Sequence, residues 1–414
     1  MRKDRITGPG PFRAFLPISR ILLVLLAVLL TLTGCAQRTP VQEASLEQET
    51  GSPERAVQIG LSFDSFVIER WTRDRDVFVS TAQELGAEVN VQNANGDVEE
   101  QISQIEYFIE KNVDVIVIIA IDGDALTDVI ARAQAEGIRV VCYDRLIRNA
   151  GTDLDISFDN EMVGRLMGEA LRRALPGGGK LFAIYGSQSD NNVEQVIHGL
   201  ETSLAGSDLE IIYSAYCRNW LAELAFDAVS EGLTEHPHVD GIMCGNDDLA
   251  SQAIRALSEH RLAGQVVVVA QDAELSACQR IVEGTQEMTV YKPVETLARK
   301  AAQLSVQLGK ERNGSAVALA STPASTSASA SASASATASQ GEKEDEAAST
   351  QPESETNVTE TSVTETIFDG TQDVPYYRIE PIAVTRENLD QEIIESGFHR
   401  REDVYLNVTG QTEP

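Results

Sequence analysis

The sequence predicts an α/β protein built of two doubly wound parallel-sheet lobes. Three observations lead there. Short apolar runs alternate with segments of helical periodicity, roughly 10–15 residues each, along most of the chain. The runs are rich in Val and Ile without polar alternation, the pattern of strands covered on both faces. The run Ile138–Tyr143 ends abruptly in Asp144-Arg145, a carboxylate beside a planar five-donor fork. Turn residues, a second short run (Ile156-Ser157-Phe158) and Asp159-Asn160 at a helix start follow, a place for the chain to pass into a second lobe. Open α/β sheets bind ligands at the carboxyl ends of their strands, so Asp144-Arg145 is placed for a small polar molecule between closing lobes.

In the first lobe, Val57–Phe63 reads as a strand and Arg70–Leu85 as a helix with Phe78, Ala82 and Leu85 on one face. Ala87–Gln92 is a strand, and Asn95-Gly96-Asp97 opens a helix over 98–111. Val113–Ala120 (VDVIVIIA) is the clearest buried strand. A helix over 125–136 ends at Gly137 before the strand Ile138–Tyr143. Such spacing makes right-handed βαβ units and a parallel sheet.

The second lobe repeats the scheme. Helices are predicted over 160–174, 193–204, 222–233, 247–259 and 276–283, with strands over 181–185, 210–216, 239–244, 266–270 and 288–291. A last helix covers 294–308.

Composition changes at Lys310. Ala324–Gln340 is nearly pure Ser-Ala-Thr repeat, and 341–366 is rich in Glu and Thr. Such sequence buries too little apolar surface to offset chain entropy, so 310–366 is expected to be a disordered insert. Globular signals return in Val374–Val384, Arg386–Ile394 and Asp403–Val408. The insert therefore reads as a loop within a domain, tolerated because closure cost grows slowly with length.

At the other end, Arg2, Lys3, Arg5, Arg13 and Arg20 precede the apolar run Ile21–Leu30, followed by Leu32-Thr33-Gly34-Cys35. The run is short for a spanning helix, which needs about 20 residues. The pattern resembles the bacterial lipoprotein signal. It implies a signal peptide over 1–34, lipid on Cys35, a polar tether over 35–55 and a body outside the cytoplasmic membrane.

A net charge of −31 over 414 residues excludes a nucleic-acid partner, which requires clustered Lys and Arg. The five cysteines include no CxxC, so neither a zinc site nor a redox pair is indicated. Gly177-Gly178-Gly179-Lys180 precedes a strand instead of following one and is not a phosphate loop. His236-Pro237-His238 lacks further metal ligands. No catalytic triad is indicated, and no cofactor or enzymatic activity is expected.

The motifs are Ile68-Glu69-Arg70-Trp71, Gln92-Asn93-Ala94-Asn95-Gly96, Tyr143-Asp144-Arg145, Ile156-Ser157-Phe158-Asp159-Asn160, Asp190-Asn191-Asn192, Gly245-Asn246-Asp247, Gln271-Asp272-Ala273 and Met288-Thr289-Val290-Tyr291-Lys292-Pro293. Taken in order, they resemble the D-xylose-binding proteins of bacterial ABC transporters, within the ribose/galactose-type periplasmic sugar-binding superfamily. The resemblance covers roughly 57–308 and resumes over 374–408; the insert departs from the family pattern. It implies two lobes joined by three crossovers, with a monosaccharide between them. The first lobe would comprise 56–157 plus 290–309, and the second 158–289 plus 374–408, the third crossover following the insert. It implies a monomeric lipoprotein that binds an aldopentose, D-xylose foremost, and delivers it to the permease and ATPase subunits of an importer. The alternative is a sensor presenting the sugar to a membrane kinase or chemoreceptor.

A sugar presents hydroxyls that both donate and accept, and apolar C–H faces that stack on flat aromatics. The expected sugar-binding residues are Arg70, Trp71, Asp144, Arg145, Asn191, Trp220, Asn246, Asp272 and Lys292. Each has a plainer use as well. Asn191, Asn246 and Asp272 suit helix N-caps, Asp144-Arg145 a surface ion pair, Lys292 a solvated charge, and the tryptophans a core.

Overall fold

The computed structural model describes residues 55–314 and 363–408. The expected signal peptide, Cys35, nearly all of the tether and most of the insert lie outside the described residues.

The first lobe starts with β1 (Gln58–Phe63), α1 (Arg70–Glu84), β2 (Glu88–Asn93), α2 (Val98–Glu110), β3 (Val115–Ile118), α3 (Thr127–Ala135), β4 (Arg139–Tyr143) and β5 (Leu154–Phe158). These strands are parallel, in the spatial order β5-β4-β3-β1-β2. The strand period of two sends Val115 and Val117 to one face, against α1 and the long helix α9 (Val294–Arg312). Ile116 and Ile118 go to the other, against α2 and α3. All of β3 is therefore buried, which is why its sequence is apolar without alternation.

The second lobe is formed by α4 (Asn160–Ala174), β6 (Gly179–Tyr185), α5 (Asn191–Leu204), β7 (Leu209–Tyr216), α6 (Glu223–Glu235), β8 (Gly241–Cys244), α7 (Asp247–Glu259), β9 (Val267–Gln271), α8 (Leu275–Glu283) and β10 (Met288–Tyr291). Helices α4 and α5 touch backbone to backbone at Gly164 and Gly199. A Cβ at Gly199 would stand 1.9 Å from the Glu161 carbonyl, so no larger residue fits there without moving a helix.

The tail corrects one expected boundary. Residues 374–379 were assigned to the second lobe, but β12 (Asp373–Ile379) pairs in parallel with β5, Tyr376 opposite Asp155. Its antiparallel neighbour β11 (Glu365–Phe368) forms the edge of the same sheet. Only β13 (Ile382–Thr385) joins the second sheet, antiparallel to β10. The third crossover is thus at Glu380-Pro381, where proline has no N–H to continue a ladder. A π-helical turn (Asp390–Glu395) and α10 (Arg401–Val404) then pack on α8 through Leu389, Ile393, Val404 and Ile281.

The insert boundary moves too. Helix α9 runs on to Arg312, which donates to Asp114 at 2.8 Å and to the Gly137 carbonyl at 2.8 Å. Both described flanks of the insert therefore belong to the first lobe, not to the third crossover.

Candidate functional site

The strands of both sheets point their carboxyl ends at one cleft. From the first lobe, Arg70 opens α1. Its guanidinium lies 2.8 Å from Asp144 and 3.0 Å from Asp74, one helical turn on, and its carbon stands 4.3 Å over the Trp71 ring. Asp144 takes a left-handed backbone (φ 67°), which a short polar side chain tolerates, while its N–H still donates to the Ile156 carbonyl at 2.8 Å. Arg145 donates through Nη1 to Asp64 at 2.8 Å and to the Ala120 carbonyl at 2.9 Å. Its Nε reaches across the cleft to within 2.7 Å of Asp190.

The second-lobe wall is set by backbone shape. Asn219 and Trp220 have φ of 52° and 58°, and Asp272 and Ala273 have 103° and 53°, conformations that cost energy outside glycine. The Trp220 ring packs close to Gly186 and Gly245; a Cβ at Gly186 would clash with it. Its indole N–H donates to Asp190 at 3.2 Å. The Asp272 turn is braced from behind: Ala273 N–H donates to Thr289 Oγ1 at 3.0 Å, and Thr289 donates to Asp247 at 2.7 Å. Lys292, at the second crossover, lies 2.8 Å from Asp272. Asn192 spans the lobes, donating to the Asp144 carbonyl and carboxylate at 3.0 Å each.

The charges are buried and mutually dependent. Burial alone would raise Asp144, but Arg70, Lys292 and Arg145 outweigh it and hold the carboxyl below its ordinary range. Burial wins at Asp64, Asp74 and Asp190, which are raised although each faces an arginine. Burial also pushes Asp155, behind Asp144, up to about 8 with Asp144 adding to it. In the brace, burial raises Asp247 to about 7 and Glu274 to about 10. Asp144 Oδ2 and Asp272 Oδ1 are ion-paired without hydrogen-bond geometry, and Trp71 Nε1 and Gln271 Oε1 have no partner within the described residues. A buried polar group left unpaired costs about 1–3 kcal/mol. Here acceptors and donors converge in a cleft lined by two indoles, an arrangement suited to a compact polyhydroxylated molecule.

Arg70, Trp71, Asp144, Arg145, Trp220, Asp272 and Lys292 all line this cleft, with Tyr185, Asn160, Asp190, Asn192 and Gln271. Asn191 and Asn246 do not. Asn246 caps α7, accepting from Leu249 N–H at 2.9 Å, and Asn191 is the first residue of α5, from which its neighbour Asn192 reaches the cleft. Cys35 lies outside the described residues. Sequence reasoning missed Asp64, Asp74, Asp190, Asn192 and Gln271 as members of the site. Asp190, Asn192 and Gln271 stand inside motifs already singled out, and Asp74 follows Arg70 at helical spacing. Among the described residues no group of His, Cys, Asp or Glu is arranged to hold a metal ion, and no helix is long and apolar enough to cross a membrane. Cys142, Cys217, Cys244 and Cys278 are free and buried.

A family model described as a periplasmic binding protein domain matches residues 59–312. The chain belongs to the periplasmic binding protein family. That match runs from β1 to α9, so both walls of the periplasmic binding protein's cleft fall within it. The D-xylose-binding periplasmic protein of Haemophilus influenzae is 39% identical over 354 residues, 84% of this chain and 92% of that one. The protein of the same description from Escherichia coli strain K12 is 36% identical over 355 residues, 84% and 93% of the two chains. A carbohydrate transporter solute-binding protein of Chloroflexus aurantiacus, solved in complex with D-glucose, shares the fold with a TM-score of 0.66 at 23% identity, covering 84% of this chain and 98% of that one.

Proposed function

We propose that this periplasmic binding protein takes D-xylose between its lobes and delivers it to the permease and ATPase subunits of an ABC importer. The observation that carries the reading is the pairing of the chain's two tryptophans, one on each wall, around an ionised Asp144 and three buried cations. Trp71 and Trp220 offer flat faces to the apolar sides of a pyranose ring. Asp144 and Asp272 accept from its hydroxyls; Arg70, Arg145 and Lys292 donate. Hydrogen bonds to charged groups contribute about 1.5–3 kcal/mol each. A few of them with two stacked faces reach the roughly −8 kcal/mol of a micromolar complex.

Binding then drives closure, because sugar gains contacts from both walls only when the lobes meet, and a ligand shifts that equilibrium by its differential affinity. The binding role of the family supports a sugar that leaves chemically unchanged. The names of the two D-xylose-binding relatives support xylose over other aldoses. The Leu32-Thr33-Gly34-Cys35 box supports lipid on Cys35 as the membrane anchor, with the monomer as the working unit.

The test is calorimetry with xylose, ribose, arabinose and glucose, run beside small-angle scattering. Xylose should bind tightest and reduce the radius of gyration, and should be recovered intact. Binding of none of the four, or tight binding without compaction, would contradict the reading.

A further inference from the structure

We propose that Asp190 is a positioning residue that couples the seat of Trp220 to closure of the lobes, sharing one carboxylate oxygen between the indole of its own lobe and the guanidinium of the other. The proposal deepens the sugar-binding reading of Arg145 and Trp220 and rests on it. Asp190 is only 3% exposed, and its carboxylate is largely committed. Oδ1 accepts from Asn192 N–H at 3.0 Å as the cap of α5. Oδ2 receives the Trp220 indole N–H at 3.2 Å and stands 2.7 Å from Arg145 Nε. The cap also fixes Asn192, whose amide crosses to Asp144. Two buried bridges over the cleft, Arg145 to Asp190 and Asn192 to Asp144, therefore both depend on the first turn of α5.

Trp220 needs such a holder. It sits at positive φ, which its bulky side chain does not favour, beside Asn219 in the same region. When the lobes part, Arg145 stays with Asp64 and Ala120, while Asp190 is wetted and its grip on the indole competes with water. Closure removes the water and restores the shared oxygen. Asp190 thus acts on sugar through Trp220 and Arg145. Because the ion pair forms after encounter, its loss should appear in dissociation more than in association.

Asp190→Asn and Asp190→Ala separate the two roles. Asparagine can keep its one oxygen on Asn192 N–H as the cap of α5, but it loses the charge and turns an NH2 donor toward the indole N–H and Arg145. Stopped-flow tryptophan fluorescence with D-xylose should show D190N dissociating about ten- to a hundredfold faster, with association within about threefold of wild type. D190A should also lose the cap of α5, and both variants should lose the wild-type NMR resonance of the Trp220 indole N–H. Scattering without sugar should find D190N no more compact than wild type and more open on average. A D190N protein with the wild-type dissociation rate, or D190A with an unchanged indole resonance, would overturn the proposal. The indole resonance and unliganded scattering are read without sugar. A wild-type chain that binds no xylose would therefore refute the function while these two readouts still judge Asp190.

Discussion

The two walls of the cleft are held by different physics. The first-lobe wall is a lattice of buried charge: Arg70 against Asp74 and Asp144, and Arg145 against Asp64. The second-lobe wall is held by shape: positive-φ residues at 219–220 and 272–273, and glycines 186 and 245 that leave room for Trp220. One wall is tuned by electrostatics and the other by steric fit. Damage to the first should therefore be read in charge and pH, and damage to the second in packing.

The largest expected effect follows from the residue joining the two systems. Arg145→Ala leaves Asp64 and Asp190 without their cation, and uncompensated buried charge costs about 3–5 kcal/mol. Part of that cost falls only on the closed form, where Asp190 is dry. Calorimetry should show pentose affinity reduced by about a hundredfold or more, with a smaller loss of thermal stability. Asp272→Ala should come next, about ten- to a hundredfold weaker, since it removes one charged contact on the shape-held wall while Lys292 keeps Asp144 as a counter-charge. Gly186→Ala breaks the second wall alone: its Cβ meets the Trp220 ring and must displace it. Losing a stacked face should weaken binding about tenfold, with Trp220 fluorescence altered.

A smaller effect sharpens the first wall. Asp155 holds its proton up to about 8 because it is buried beside Asp144, whereas the unfolded chain releases it near 3.8. Folding therefore binds a proton between these limits, and the Asp155 contribution to stability is lost as pH rises through that window. Asp155→Asn removes the linkage, so its thermal midpoint should gain on wild type as pH goes from 5 to 8. A constant difference would show that this wall is not electrostatically set. Deleting residues 315–362 should have the least effect on affinity, because both described flanks lie on the first lobe. A loss of cooperative unfolding in that deletion would contradict it.

Strands were legible wherever both faces are covered, as in β3, because continuous apolar sequence has no other stable use. The place of β12 was not. Its register against β5 joins residues far apart in sequence, and Pro381, the break between lobes, reads locally as any turn. In the site, Trp71, Asp144 and Arg145 were legible because each ends a strand or begins a helix. The choice of Asn191 within Asp190-Asn191-Asn192 failed because cap geometry decides which side chain faces the cleft, with Asp190 as the cap and Asn192 reaching over. The left-handed turn at Asp272-Ala273 had no signal, since it carries neither Gly nor Asn, and at Trp220 the neighbouring Asn219 was the sole local mark of positive φ.

The central claim is that xylose is held between a charge-set wall and a shape-set wall. A crystal structure of the protein grown with D-xylose tests it most directly. The account predicts one pentose ring between the Trp71 and Trp220 faces, with hydroxyls hydrogen-bonded to Asp144, Arg145 and Asp272. A pentose bound elsewhere, or one contacting a single lobe in a closed molecule, would contradict it.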